Sequence, residues 1–183
     1  MPDDLYQKRK METERLVLRP YQVADAAQAH AIFDLHPEIW KHDPGYQRSL
    51  LQRRKVIARY EILHNQFGFG PCAAFSREDG RLIGQGGLNP YMFRHKDGTQ
   101  TAEFEVMYKI ARPYWRQGFA IELARFWASF AFETVGLRRL ITCPAKANPG
   151  SVAVLRALGC RIEDDWLEPD RVITILERPH VDQ

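Results

Sequence analysis

Residue periodicity predicts one mixed α/β domain, with antiparallel hairpins early in the chain and a strand–helix–strand crossover late. Three observations point there. The chain is 183 residues long, room for one compact domain at roughly 100–200 residues each. Its apolar residues repeat with helical spacing in some segments and alternate with period two in others. Hydrophobic residues make up 45% and charged residues 27%, an ordinary globular balance that excludes disorder and fibrous repeats. We expect the polar residues 1–10 to form a flexible arm and residues 11–183 to form the domain.

Taken in order, Arg15 to Arg19 alternates and is closed by Pro20, which predicts a first strand. Asp25 can cap a helix carrying Ala29, Ile32, Phe33 and Leu35, and His36-Pro37 ends it. A second helix is expected over 48–66, with Val56, Ile57, Tyr60, Leu63 and Phe67 on one stripe. Arg48, Arg53, Arg54, Lys55 and Arg59 fall on it as a solvated face or, alternatively, as an attraction for an anionic partner. Apolar runs over 69–77 and 81–88 flank Glu78-Asp79-Gly80, a hairpin signal.

A polar loop, 94–101, leads into a strand over 102–111. Period two puts Phe104, Val106, Tyr108 and Ile110 on one face and Glu103, Glu105 and Met107 on the other. A helix over 117–135 follows, with Ala120, Leu123, Ala124, Trp127, Phe130 and Ala131 toward a core and Gly136 as its stop. The remainder reads as a strand (139–143), a short helix (148–158) ended by Gly159, and two strands (161–166 and 172–176).

Composition also narrows the function classes. Net charge is only +3, too weak to mark a nucleic-acid binder. The longest apolar stretch, 121–137, is interrupted by Glu122, Arg125 and Glu133, so no membrane span is expected, and the N-terminus lacks a secretory apolar core. Cys72, Cys143 and Cys160 lack paired spacing and read as buried thiols in a cytoplasmic, reducing setting. The six histidines show no metal-ligand spacing and read as surface or capping residues, so no metal is expected. Gly84-Gln-Gly-Gly87 echoes a dinucleotide fingerprint, but no helix follows it. A Gly-x-Ser-x-Gly elbow is absent.

The sharpest signal lies in 108–122. A strand ends, Pro113 breaks it, and a turn containing Gly118 opens a long helix. Free backbone N–H groups then point out of a helix N-terminus, where the macrodipole favours anions. Arg112 and Arg116 add positive charge, and Gly118 permits close approach. This is a candidate phosphate or pyrophosphate site; an ordinary helix start is the alternative.

Several motifs in one order carry a resemblance: Thr13-Glu-Arg-Leu-Val-Leu-Arg-Pro20, Leu82-Ile-Gly-Gln-Gly-Gly-Leu88, Tyr114-Trp-Arg-Gln-Gly-Phe-Ala-Ile-Glu122, Phe130-Ala-Phe-Glu-Thr-Val-Gly-Leu137, Asn148-Pro-Gly-Ser151 and Leu158-Gly159. Over residues 13–176 the chain resembles the GNAT N-acetyltransferase superfamily, and within it the RimJ/RimL-like branch that acetylates ribosomal-protein N-termini. Two positions depart from that pattern: Arg116 stands where the family often has glycine, and Cys160 where an aromatic usually follows Leu-Gly.

The resemblance implies a mixed, mostly antiparallel sheet splayed between two parallel strands and flanked by helices. It implies acetyl-CoA as co-substrate, with pantetheine along the backbone of Tyr108, Ile110 and Arg112. The pyrophosphate would sit on the amides of Arg116, Gln117, Gly118, Phe119, Ala120 and Ile121, and Asn148 and Ser151 would approach the pantetheine arm and sulfur. Ser151 is implied as general acid and Glu105 as the matching strand glutamate acting as base through water; backbone donors near Ile110 would hold the oxyanion. From the residues alone, Asn148-Pro149 reads first as an ordinary helix cap, and Glu103 and Glu105 read alternatively as exposed residues on a half-solvated strand.

The expected activity is N-acetylation of a primary amine, foremost a protein or peptide N-terminus. The alternatives are a small amine of the polyamine or aminoglycoside type, or a non-catalytic CoA-binding module. Neither nucleic acid nor membrane is expected as a partner, and a homodimer is compatible.

Overall fold

The computed structural model describes residues 11–179; the expected arm at 1–10, and His180, lie outside the described residues. Strand β1 (Leu16–Pro20) pairs antiparallel with β2 (Cys72–Ser76), from Leu16↔Ser76 to Pro20↔Cys72. β2 in turn pairs antiparallel with β3 (Leu82–Arg94), with the register shifting between Ala74 and Phe75. β4 (Gln100–Ile110) completes a four-stranded sheet of order β1-β2-β3-β4. A second sheet of order β5-β7-β6 is built from β5 (Arg139–Thr142), β6 (Arg161–Asp164) and β7 (Val172–Glu177). β5 and β6 are each antiparallel to β7. The expected crossover is present, with β7 inserted between its two strands.

The described chain forms two compact units. The first holds residues up to 87 together with 107–123, and the second holds 88–106 together with 124 onward.

In the first unit, a 3-10 turn (Val23–Asp25), helix α1 (Ala26–Ala29) and a π-helical turn (His30–Asp34) run on without interruption. Asp25 does not cap this helix forwards as expected. Its carboxylate reaches back to the Gln22 N–H at 2.8 Å and takes the Arg19 guanidinium at 2.8 Å on each oxygen. α2 (Pro37–Trp40) starts on its proline, and α3 (Leu50–Phe67) is closed at its start by Ser49 and Gln52 and at its end by left-handed Gly68. Ile57, Tyr60 and Leu63 of α3 enter a core with Ala26, Ala29, Phe33 and Ala73. Burying each large aliphatic side chain there contributes about 1.5–3 kcal/mol.

Arg53 corrects the reading of α3's basic run as wholly solvated. It is fully buried, its Nε and Nη2 on the two Asp34 oxygens at 2.7 and 2.5 Å. A guanidinium fork matches a carboxylate bidentately, which is how such a charge survives burial. Gly84-Gln-Gly-Gly87 lies inside β3 and serves packing: a Cβ on Gly87 would come 2.5 Å from Pro71 Cα.

Helix α4 (Phe119–Ser129) starts in the first unit and, in the second, continues into a π-helical turn (Phe130–Val135) that stops at left-handed Gly136. Phe93, Ile141 and Ile173 form a small core with Tyr91, Cys143 and Ile175 against it. α5 (Pro149–Leu158) ends at Gly159, also left-handed. Of the three free thiols only Cys72 is buried; Cys143 and Cys160 are half-buried, and burial pushes both up to about 11. His64 departs from the surface or capping expectation: it is half-buried, with its Nε2 3.0 Å from the Pro71 carbonyl. Among the described residues no helix is long and apolar enough to cross a membrane.

Candidate active site

The turn expected to bind an anion is built in the first unit between the end of β4 and the start of α4. Ala111 is extended, Arg112–Tyr114 make a 3-10 turn, and Trp115 is extended again at φ −67°, ψ 152°. Arg116 then turns left-handed at φ 61° and Gly118 at φ 85°. Glycine accepts such angles freely, whereas an arginine pays about 1–2 kcal/mol. Left-handed residues so close to a helix start direct successive N–H groups outward rather than along the chain.

Here they do. The N–H groups of Arg116, Gln117, Gly118, Phe119, Ala120 and Ile121 donate to no group among the described residues; Glu122 is the first to donate, to Gly118 O at 3.1 Å. Unpartnered amides at the positive end of an 11-residue helix are the arrangement that favours an anion.

Local bonds hold the turn. Trp115 Nε1–H donates to Ile110 O at 2.7 Å, and Gln117 Nε2 donates to Pro113 O at 2.9 Å. Arg112 stacks over the Trp115 ring at 4.9 Å and lies 3.6 Å from Glu38, so part of the positive charge expected from it is balanced. Sequence reasoning missed a further group. Arg15 Nη1 donates to Gln117 O at 2.8 Å, and its guanidinium sits 4.1 Å over the Phe119 ring. Its Nε and Nη2 also bind Glu122 Oε2, each at 2.7 Å.

Glu122 additionally takes the Arg15 N–H at 2.9 Å and the Thr13 hydroxyl. Burial raises its pKa, but these donors outweigh burial and hold the carboxyl below its ordinary value. Thr13, Arg15 and Glu122 all lie in the motifs quoted above, yet no local spacing pairs residues a hundred positions apart.

In the second unit the two strand glutamates separate. Glu103 is buried and takes Arg139 Nη2 at 2.5 Å, Arg139 Nε at 3.3 Å and the Thr101 hydroxyl at 2.8 Å. Burial raises its pKa, and Arg139 with Thr101 more than reverses that. A carboxylate so fully paired is a poor base. Its burial also corrects the simple alternation expected for β4. Glu105 is half-buried and accepts from Asn89 Nδ2 at 2.8 Å.

Asn148 is a helix cap: its Oδ1 accepts the Ser151 N–H at 3.2 Å, with Pro149 as the first helical residue. Of the donors near Ile110, the Ala111 N–H is already given to Ile83 O at 2.8 Å. Tyr108, Ile110 and Arg112 stand with the turn in the first unit, and Glu105, Asn148 and Ser151 belong to the second.

The described chain thus joins a mixed α/β architecture to an open helix N-terminus after its fourth strand. The acetyltransferase (GNAT) domain family matches residues 15–161, and the chain belongs to that family. It is 26% identical over 153 residues to the uncharacterized N-acetyltransferase YoaA of Bacillus subtilis, covering 84% of this chain and 83% of that one. The acetyltransferase structure from Agrobacterium tumefaciens str. C58 superimposes with a TM-score of 0.76 at 25% identity, over 91% of this chain and 93% of that one. RimL, a ribosomal L7/L12 alpha-N-protein acetyltransferase solved in complex with coenzyme A, has the same fold. Its TM-score is 0.69 at 17% identity, covering 90% and 95% of the two chains.

Proposed function

We propose that this acetyltransferase uses acetyl-CoA to acetylate the α-amino group of a protein or peptide N-terminus. The observation that carries the cofactor half is the unpartnered run of amides from Arg116 to Ile121, which takes the cofactor's pyrophosphate. The backbone of Tyr108, Ile110 and Arg112 accompanies the pantetheine.

Chemistry is direct. The neutral amine attacks the thioester carbonyl, and the carbon–sulfur bond breaks as the carbon–nitrogen bond forms. Glu105 takes the amine proton through water and releases it to solvent, and Ser151, or a water it holds, gives a proton to the departing thiolate and regains one from solvent. Glu105 is preferred to Glu103, whose oxygens Arg139 and Thr101 occupy.

The acceptor half rests on proton chemistry and on fold likeness to RimL. An α-amine titrates at about 7.7–8.0 and a lysine near 10.4, so at neutral pH the α-amine offers far more nucleophile to a modest base. The test incubates the protein with acetyl-CoA and a mixture of peptides, polyamines and aminoglycosides, and reads products by mass spectrometry. Peptides acetylated at the α-amine support the proposal. Products confined to lysine side chains or small amines overturn the acceptor half, and cofactor binding with no product overturns the catalytic half.

A further inference from the structure

We propose that Arg15 is a positioning residue for the cofactor turn, a role that rests on the reading of that turn as the pyrophosphate site. Left-handed Arg116 is a conformation that persists only where its surroundings over-determine it. Three side chains bond the backbone around it. Trp115 and Gln117 bond to carbonyls within a few residues of themselves. Of these three, Arg15 is the one that comes from a distant part of the chain, and it grips the Gln117 carbonyl, which stands between the two left-handed residues.

Arg15 is itself held firmly. It sits in a tight turn ahead of β1, where Thr13 N–H donates to Leu16 O at 2.9 Å and Leu16 N–H donates to the Thr13 hydroxyl oxygen at 3.0 Å. Arg77 closes the same turn, its Nη1 donating to Thr13 O at 3.1 Å. The guanidinium therefore arrives pre-oriented, with Phe119 beneath it at 4.1 Å.

Its second task is electrostatic. Glu122 lies in the first turn of α4, where an acidic side chain would otherwise compete with a phosphate for the helix dipole. Arg15, with Thr13, occupies that carboxylate and keeps it from the open amides. The same side chain thus shapes the anion site and neutralises its nearest rival.

The experiment measures acetyl-CoA affinity by calorimetry for wild type, Arg15→Ala, Arg116→Gly and the double variant, with thermal melts confirming folding. Acetyl-pantetheine, which lacks the pyrophosphate, serves as a second probe by ligand-observed NMR. Loss of a charged hydrogen bond predicts that Arg15→Ala weakens acetyl-CoA roughly ten- to a hundredfold and shifts acetyl-pantetheine by less than about twofold, a selectivity that a role in general folding would not produce. Arg116→Gly, which removes the left-handed penalty, should recover a large part of the lost affinity when the double variant is compared with Arg15→Ala.

Unchanged acetyl-CoA affinity in Arg15→Ala overturns the proposal, as does equal loss for both probes. A selective loss that Arg116→Gly fails to recover overturns the positioning role in favour of a direct charge contact. Wild type binding acetyl-CoA no more tightly than acetyl-pantetheine overturns the pyrophosphate reading itself.

Discussion

Helix α5 begins with Asn148 Oδ1 taking the Ser151 N–H at 3.2 Å, and α3 begins with Ser49 and Gln52 closing on each other's backbone. Helix α4 begins with its leading amides offered to no group among the described residues. The closed starts use residues with high cap propensity and an unstrained entry. The open one follows two left-handed residues, one of them an arginine. Where a chain caps its other long helices, an uncapped and strained start leaves its donors open to a ligand, and a capped start shows first a structural role.

That contrast can be broken most sharply at Ser151. The cap takes the backbone N–H of Ser151, a donor that Ser151→Ala keeps. As general acid, Ser151 should cost roughly 10²–10⁴-fold in turnover on an identified acceptor, with acetyl-CoA affinity nearly unchanged. Wild-type turnover would return this residue to the cap alone.

At the open start, Gly118→Val places a β-branched residue at φ 85° with its Cβ 3.2 Å from Arg15 Nη2. Calorimetry should show acetyl-CoA affinity falling by roughly tenfold or more in a folded protein.

Asn148→Ala removes the cap from α5, and denaturant unfolding should report a loss of about 1 kcal/mol. If the turnover of this variant also falls, Asn148 does more than cap. Arg116→Gly should give the smallest effect, a stability gain between nil and about 1 kcal/mol, because relief of the left-handed strain is offset by glycine's greater freedom when unfolded.

Element types were readable because their signals are local. Pro113, Gly118, Gly136 and Gly159 mark turns or helix ends, and the hairpin around Glu78-Asp79-Gly80 stands where expected. Partnerships across the chain were not readable. Arg53 sat inside a basic run, yet it stands four and seven positions before Ile57 and Tyr60 on the buried stripe, the one sign that it faces inward. Its partner Asp34 lies on a separate helical turn. Glu103 and Glu105 look equivalent by alternation, and their different partners tell them apart, above all Arg139 on Glu103, thirty-six residues later. The turn before α4 was legible as backbone, but the Arg15–Glu122 pairing was not, since nothing near either residue announces the other.

The order β5-β7-β6 has a consequence for how the second sheet comes into being. The strand in its middle is the last of the three to leave the ribosome, and its neighbours have no hydrogen-bonded contact with each other to wait on. A nascent chain that has emerged only as far as Asp170 carries two short strands with nothing to pair them, each an exposed edge of the kind that recruits other chains. Val172, Ile173 and Thr174 are buried once the strand slots in. Six residues, Val172–Glu177, therefore act as the closing wedge of this unit, and damage to them should be felt in yield and aggregation during synthesis before it is felt in any equilibrium measurement on the finished protein.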